Sequence, residues 1–295
     1  MSDPLEFTGE RFTPECVREI WYEHFHRYAF AGELVAGKRV LDAACGEGYG
    51  AAYLAGKARS VTGVDISNAA IVHACSRYPA ENLEFLKADC CALPFEDGEF
   101  DCIVSFETLE HLENQAGLLK EFRRVLDPVG FLLISSPDKA VYSDGQQHDN
   151  EFHVRELYRD EFLALIEKEF PHQRLFKQKL LFQSAIWSSE PVGDVTLQHY
   201  DEVGVSHTAL PVHEAMYFIA LCAAEPDCLP ITGSRLYLFD DADESVYRHY
   251  QHEIGKNMAA GKILQDRDRE ISELKNALKA RAKPVSGWRR WLGLD

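Results

Sequence analysis

The stretch Val40-Leu41-Asp42-Ala43-Ala44-Cys45-Gly46-Glu47-Gly48-Tyr49-Gly50 constrains the fold of this chain more than any other. A short apolar run passes into a carboxylate and then into closely spaced glycines, which reads as a strand turning into a helix over a ligand. Glycine lets the backbone turn tightly and brings N–H groups close to a bound molecule, and a helix opening near Gly48 offers unpaired donors to an anionic group. A second apolar strand, Ser60-Val61-Thr62-Gly63-Val64-Asp65, ends in an acid 19 positions after Gly46. An acid about 20 residues beyond a glycine turn is placed to grip the hydroxyls of a nucleotide ribose.

The surrounding pattern extends this unit in both directions. Val17, Ile20, Trp21, Phe25, Tyr28 and Ala29 recur at helical spacing, with Thr13 and Pro14 suited to the start, so a helix with one buried face is expected within 13–35. Strands are expected at 38–43, 60–65, 83–87 and 101–106. Helices are expected at 48–56, 68–78 and 115–126, and a turn at 127–130 leads into the apolar run Phe131-Leu132-Leu133-Ile134. Alternation of this kind builds a parallel sheet covered by helices on both faces. A helix at 159–169 precedes two more strand candidates, 174–187 and 216–223, separated by a polar loop without a clear period. From about Asp243 the chain becomes charged and helical, with Tyr250, Asn257, Leu264, Ile271 and Leu278 at intervals of seven. That spacing suits a coiled coil, and the mostly polar residues between leave a solvated helix as an equal alternative. The expected organisation is one domain over 1–242, with 1–37 as a helical lid, followed by a C-terminal helix and tail over 243–295.

A dinucleotide fingerprint requires G-x-G-x-x-G after the strand, whereas this chain has Asp42-x-Ala44-x-Gly46-x-Gly48. Together with Asp65, with Leu86-Lys87-Ala88-Asp89-Cys90 and with Phe100-Asp101-Cys102-Ile103-Val104-Ser105-Phe106, that pattern resembles the class I S-adenosylmethionine-dependent methyltransferases over residues 38–137. Ala44 stands where the family most often has its first glycine, and a slightly tighter turn without loss of binding is expected there. The resemblance implies an α/β, Rossmann-like, doubly wound sheet of seven mostly parallel strands with one antiparallel member, and S-adenosylmethionine as cofactor. The implied cofactor-binding set is Asp42, Ala43, Cys45, Gly46, Gly48, Asp65, Ile66, Asp89, Cys90 and Phe106. Within it Asp65 takes the ribose hydroxyls, Asp89 the adenine amino group and the Cys90 N–H the ring. The bland role for Asp89 is a turn or helix cap. Arg11, Tyr22 and Arg27 are lid candidates for the cofactor carboxylate, or ordinary amphipathic tips on a packed helix.

Methyl transfer requires the acceptor to be held in line and its proton to be managed. Two segments suit that task, Glu107-Thr108-Leu109-Glu110-His111 and His148-Asp149-Asn150-Glu151-Phe152-His153. The E-x-x-E-H arrangement resembles the metal-binding motif of some methyltransferases, including ubiquinone-pathway O-methyltransferases and small-RNA 2′-O-methyltransferases. In that reading Glu107, Glu110, His111 and His153 hold magnesium or manganese. In the metal-free reading Glu107 contacts the cofactor, Glu110 caps or pairs locally, and His111 or His153 is the base.

The flanks Phe7-Thr8-Gly9-Glu10-Arg11-Phe12-Thr13-Pro14, His26-Arg27-Tyr28 and Asn150-Glu151-Phe152-His153-Val154-Arg155-Glu156-Leu157 resemble a bacterial subgroup associated with O-antigen and surface-polysaccharide glycosyltransferases. That resemblance implies a sugar hydroxyl as acceptor and a glycosyltransferase as partner. The alternatives are a phenolic or other small acceptor, and a non-catalytic scaffold. A net charge of −17 argues against nucleic acid as partner. Eight cysteines without C-x-x-C spacing read as reduced core thiols. With no signal-like N-terminus and no membrane-length apolar run, a cytoplasmic location is expected. The tail around Trp288, Arg289, Arg290 and Trp291 suits a marginal membrane contact, a docking segment or a frayed end. The C-terminal helix is the candidate for homo-oligomerisation.

Overall fold

The computed structural model describes residues 19–145, 150–186, 197–201, 204–234 and 236–281. The chain divides into two compact units, Met1–Asp240 and Asp241–Asp295. In the first unit the elements run α1 (Glu19–Gly32), β1 (Arg39–Ala43), α2 (Tyr49–Ala55), β2 (Ser60–Asp65), α3 (Asn68–Arg77), β3 (Leu83–Lys87) and β4 (Phe100–Ser105). A short 3₁₀ turn at Leu109–His111 leads to α4 (Gln115–Val125), β5 (Leu126–Pro137), α5 (Lys139–Tyr142), α6 (Arg159–Glu167), β6 (His172–Gln178), β7 (Leu197–Asp201), β8 (Gly204–Thr208) and β9 (Tyr217–Ala223).

Seven strands form one sheet in the order β3-β2-β1-β4-β5-β9-β6. β9 runs antiparallel to both of its neighbours, and the other pairings are parallel. The fold is therefore the doubly wound α/β sheet with one antiparallel strand. Side chains of the central strands alternate between two apolar layers, as a pleat of period two requires. Leu41, Leu132 and Ile134 face a layer with Leu118, Phe122, Phe162 and Ile166. Val40, Phe131 and Leu133 face a layer with Phe30, Ala51 and Leu54. Caps fix where the covering helices begin: the Ser67 hydroxyl accepts from the Ala70 N–H at 3.3 Å, and Asn114 Oδ1 accepts from the Gly117 N–H at 3.0 Å.

Several expected boundaries shift, each for a physical reason. The turn expected at 127–130 is part of β5, because α4 passes directly into the strand and the register with β4 slips between Phe100 and Cys102. The strand expected over 174–187 is β6, ending at Gln178, since its partner β9 begins at Tyr217 and the two pair end to end. The polar loop contains the two-stranded hairpin β7-β8, whose strand β8 is exposed at Val205, Ser206 and His207 and carries no periodic apolar signal. The helix expected at 159–169 ends at Glu167. The capping residues Thr13 and Pro14 lie outside the described residues. Of the described cysteines, all free, Cys45, Cys90, Cys102 and Cys222 are buried, whereas Cys75 is exposed and Cys91 and Cys228 are half-buried, so the expected core thiols are four.

In the second unit, the described structure is dominated by the 37-residue helix α7 (Ser245–Arg281). It exposes Tyr250, Ile254, Met258, Leu264, Ile271, Leu274 and Leu278. Surface pairs Glu253–Lys256 and Arg267–Glu270 at 2.8 and 2.9 Å brace single turns. Among the described residues no helix is long and apolar enough to cross a membrane. The Trp288–Trp291 region lies outside the described residues.

Candidate active site

The chain leaves β1 for β2 and β3 on one side and enters β4 on the other, so strand order reverses between β1 and β4. Ligands of open α/β sheets sit in the crevice outside the carboxyl ends at such a point. There the loop after β1 runs through three left-handed residues, Ala44 (φ 61), Gly46 (φ 57) and Gly48 (φ 93). At Gly48 a side chain is also excluded by space, because a Cβ would lie 2.8 Å from the Ala74 Cβ and the Phe85 ring. Asp65, the last residue of β2, accepts from the Gly46 N–H at 3.0 Å and from the Ser67 N–H at 2.8 Å. One carboxylate thus fixes the loop after β1 and the start of α3, and each oxygen keeps a further accepting direction. Beside it Ile66 is 69% exposed, an apolar surface at the mouth of the crevice.

Asp42, expected to touch the cofactor, is fully buried and supports the loop from behind. Its oxygens accept from the Tyr28 hydroxyl at 3.1 and 3.3 Å. Burial pushes its carboxyl up to about 7, against the lowering effect of the Tyr28 hydroxyl and the Ala51 N–H. Ala43 and Cys45 are buried in the same turn. Asp89 is exposed and its Oδ1 accepts from the Cys91 N–H at 2.8 Å, which is the turn-forming role. Burial pushes the neighbouring Cys90 thiol up to about 12. Phe106 is buried edge-on against Tyr28 with ring centroids 5.1 Å apart. Glu47, which the sequence reading passed over, is also buried: it accepts from the Tyr78 hydroxyl at 2.8 Å and pairs with His73 at 3.0 Å, tying the loop to α3.

After β4, Glu107 takes φ 51, a backbone region that a long side chain seldom occupies. Its N–H donates to Ser135 Oγ at 3.0 Å, and the Ser135 hydroxyl donates to its carboxylate at 2.5 Å. Its other neighbour is Arg27, 3.9 Å away. The four residues expected to hold a metal therefore divide. Glu110, His111 and His153 place one ligand atom each within 4.8 Å of one another, while Glu107 stays with Ser135 and Arg27. His111 and His153 lie edge to face at 5.1 Å. His111 Nδ1 meets the Phe152 carbonyl at 3.0 Å, and His153 Nδ1 meets the Glu156 carboxylate at 2.5 Å. Both partners can only accept, so a neutral ring at either position carries its proton on Nδ1 and its lone pair on Nε2. Two imidazoles and a carboxylate in this arrangement suit a borderline divalent ion as well as a base. His148 and Asp149 lie outside the described residues.

Arg27 does not join Asp65 and the glycine loop; it is buried with groups from the other half of the sheet edge. Its Nη1 donates to Gln178 Oε1 at 2.8 Å, and its guanidinium lies 4.9 Å from the centre of the Tyr217 ring. Tyr217 in turn donates to Glu23 at 3.3 Å, and Gln178 Nε2 donates to the Glu23 carbonyl at 2.8 Å. Burial works against the charge of Arg27, but Glu107, Tyr217 and Glu23 hold it protonated. Burial, opposed by Arg27, raises the Glu23 carboxyl. A cavity of about 680 Å³ opens beside this cluster, lined by Tyr22, Glu23, His26 and Arg27 from α1, by apolar side chains of β6, β9 and the segments after them, and by the cationic Arg159, Lys177 and Lys179. Arg11 lies outside the described residues. Glu23, Gln178 and Tyr217 escaped sequence reading because residues up to 194 positions apart meet here without any local motif.

Residues 41–134 match the family model described as "Methyltransferase domain". A Mycobacterium tuberculosis protein named "Probable S-adenosylmethionine-dependent methyltransferase" is 38% identical over 165 residues, 55% of this chain and 60% of that protein. The chain thus spans about three fifths of the length of that relative. A "Fatty-acid O-methyltransferase" of Mycolicibacterium smegmatis is 39% identical over 101 residues, 34% of this chain and 37% of that one. A solved Bacillus halodurans structure shares the fold, with a TM-score of 0.50 at 16% identity over 68% of this chain and 98% of its own.

Proposed function

We propose that this methyltransferase-domain protein is an S-adenosylmethionine-dependent O-methyltransferase. The observation that carries the reading is the left-handed loop Ala44–Gly48 bound through its Gly46 N–H to Asp65, with exposed Ile66 beside it, at the β1/β4 reversal. The donor set fits the cofactor: carboxylate oxygens for ribose hydroxyls, backbone N–H groups of the loop for the amino-acid portion, and an apolar face for the adenine. When bound, the cofactor supplies a methyl group made electrophilic by its sulfonium. The chain then has to position the acceptor oxygen and take its proton.

His111 and His153 are suited to that proton, since their Nδ1 atoms meet acceptors and one atom of each belongs to a cluster with Glu110. The same cluster supports a second reading, in which Glu110, His111 and His153 hold magnesium or manganese, which would lower the pKa of the acceptor hydroxyl. Support for a sugar hydroxyl of a bacterial surface glycan comes from the flanking segments, and with it the proposal of a glycosyltransferase partner. Support for a smaller acceptor with an apolar body comes from the fatty-acid O-methyltransferase relative. The scaffold alternative predicts no methyl transfer at all.

The test is transfer of labelled methyl from S-adenosylmethionine to fractionated glycans, alcohols and phenols, with and without a chelator. His111→Ala and His153→Ala should each lower turnover at least about a hundredfold, the lower end of what a general base contributes, while leaving cofactor affinity within about twofold. Chelation should abolish turnover, with rescue by magnesium or manganese, only under the metal reading. Full turnover of both variants would remove the cluster from the mechanism.

A further inference from the structure

The cavity of about 680 Å³ beside α1 lies within the range of small-molecule sites, and neither the loop after β1 nor His111 or His153 lines it. It is a space apart from the cofactor crevice and from the histidine cluster. Its character follows from β6, the edge strand of the sheet, because successive residues of a strand point to opposite faces. Phe176 packs on Phe30 with ring centroids 4.9 Å apart, and Phe30 lies 4.8 Å from Tyr237, so the side against α1 is aromatic. Lys177 is paired with Phe218, which belongs to the apolar layer under α6, so Lys177 stands on the other face. Lys179, two positions on, and Arg159, the first residue of α6, complete the cationic lining.

Charge is the second observation. The chain carries a net charge of −17, yet Glu23 is the one acid among the described residues that line this cavity. Its carboxyl is engaged, accepting from the Tyr217 hydroxyl and the Leu180 N–H beside Arg27. The Arg27 side chain has no exposed surface and already has Glu107 at 3.9 Å, so an occupant meets the other three cations instead. Of these, Arg159 pairs with Asp160 at the surface, whereas Lys177 and Lys179 form no ion pair among the described residues. The acid influenced by Lys177 is Asp138, whose carboxylate accepts from the Ala140 N–H. Aromatic walls on one side and unmatched ammonium groups on the other suit a molecule with both characters.

We propose that this cavity binds an amphipathic anion, with its apolar body against Phe30, Phe176 and Tyr237 and its carboxylate or phosphate head at Lys177, Lys179 and Arg159. Binding of this kind is independent of the methyl-transfer reading. Lysines also guard an edge strand against pairing with another chain, and that role alone predicts no binding.

Decanoate, decyl phosphate, decanol and decyltrimethylammonium share one alkyl chain and differ at the head. Each is titrated into the full chain by calorimetry at neutral pH, below the concentration at which it self-associates, with saturating S-adenosylhomocysteine and again without it. At least one anion should bind saturably in both conditions, at least about tenfold tighter than decanol or decyltrimethylammonium, the scale of one hydrogen bond between charged groups. The tighter anion identifies the head. Its hexyl counterpart should bind at least about tenfold more weakly, since each methylene left out of the cavity weakens binding. The double variant Lys177→Gln/Lys179→Gln, at exposed positions, should weaken that anion at least about tenfold, whereas the charge-matched Lys256→Gln/Lys262→Gln on α7 should leave it within about twofold. The assignment is overturned by absence of binding of both anions to the folded chain, by equal binding of decanol or decyltrimethylammonium, or by equal binding of the hexyl counterpart. Unchanged affinity in the Lys177/Lys179 variant, an equal loss in the α7 variant, or displacement by S-adenosylhomocysteine overturns it as well. Failure of S-adenosylhomocysteine to bind would count instead against the methyl-transfer reading, and the titrations without it would still decide the cavity.

Discussion

Ala44 holds φ 61 in a loop whose other left-handed residues are glycines, and a Cβ in that region is strained by about 1–2 kcal/mol. Replacement by glycine relieves the strain but adds freedom to the unfolded chain, an opposing effect of about 0.4–1 kcal/mol. Ala44→Gly is therefore predicted to stabilise the protein by about 0.5–1 kcal/mol, read from the urea midpoint at constant slope. A fall in stability would mean that the surrounding loop relaxes the alanine already. Alanine was legible in the sequence as a departure from the family pattern, and the turn forms around it as expected. What sequence did not convey was that its backbone shares the left-handed geometry of the glycines.

At the scale of elements, the β1–α2 unit is held from behind by Asp42 and Tyr28 and in front by Asp65. A Cβ at Gly50 would lie 2.0 Å from the Tyr28 ring, so α1 packs this closely on α2 only because that position is glycine. Asp42 gives the unit a pH dependence. Its carboxyl keeps its proton in the folded chain up to about pH 7, whereas an unfolded aspartate ionises near 3.8. The extra proton belongs to the folded state between those values, so this contribution is full below about pH 4 and is lost as the pH rises towards 7. The interval sets an upper bound of about 4 kcal/mol. Asp42→Asn should remove that part of the slope, so that wild type loses stability relative to the variant between pH 4 and 7; parallel melting profiles would contradict it. The strands and the acid at the end of β2 could be read directly, because period and glycine chemistry are local. The β7-β8 hairpin, the end of β6 at Gln178 and the Glu23–Arg27–Gln178–Tyr217 cluster could not, because tertiary pairing alone decides them. The metal reading of the E-x-x-E-H segment, one of two the sequence allows, takes Glu107, Glu110 and His111 as one ligand set, yet Glu107, with its left-handed backbone, binds Ser135 and lies beside Arg27, while Glu110 and His111 meet His153.

For the whole molecule, a 37-residue helix with an exposed apolar series at α7 is proposed to serve self-association or docking. Truncation after Asp240, at the boundary between the two units, should leave cofactor affinity within about twofold. It should also lower the mass measured by light scattering below a multiple of the monomer, or release the protein from sedimenting vesicles. No change in either property would leave α7 as a solvated appendage. The central claim concerns the first unit, and calorimetric titration of S-adenosylmethionine into wild type and Asp65→Ala tests it most directly. Saturable binding to wild type is predicted, with a loss of about 2 kcal/mol in the variant, the scale of hydrogen bonds to a charged group and roughly thirtyfold in Kd. No binding to wild type, or equal affinity in a folded Asp65→Ala protein, would contradict it.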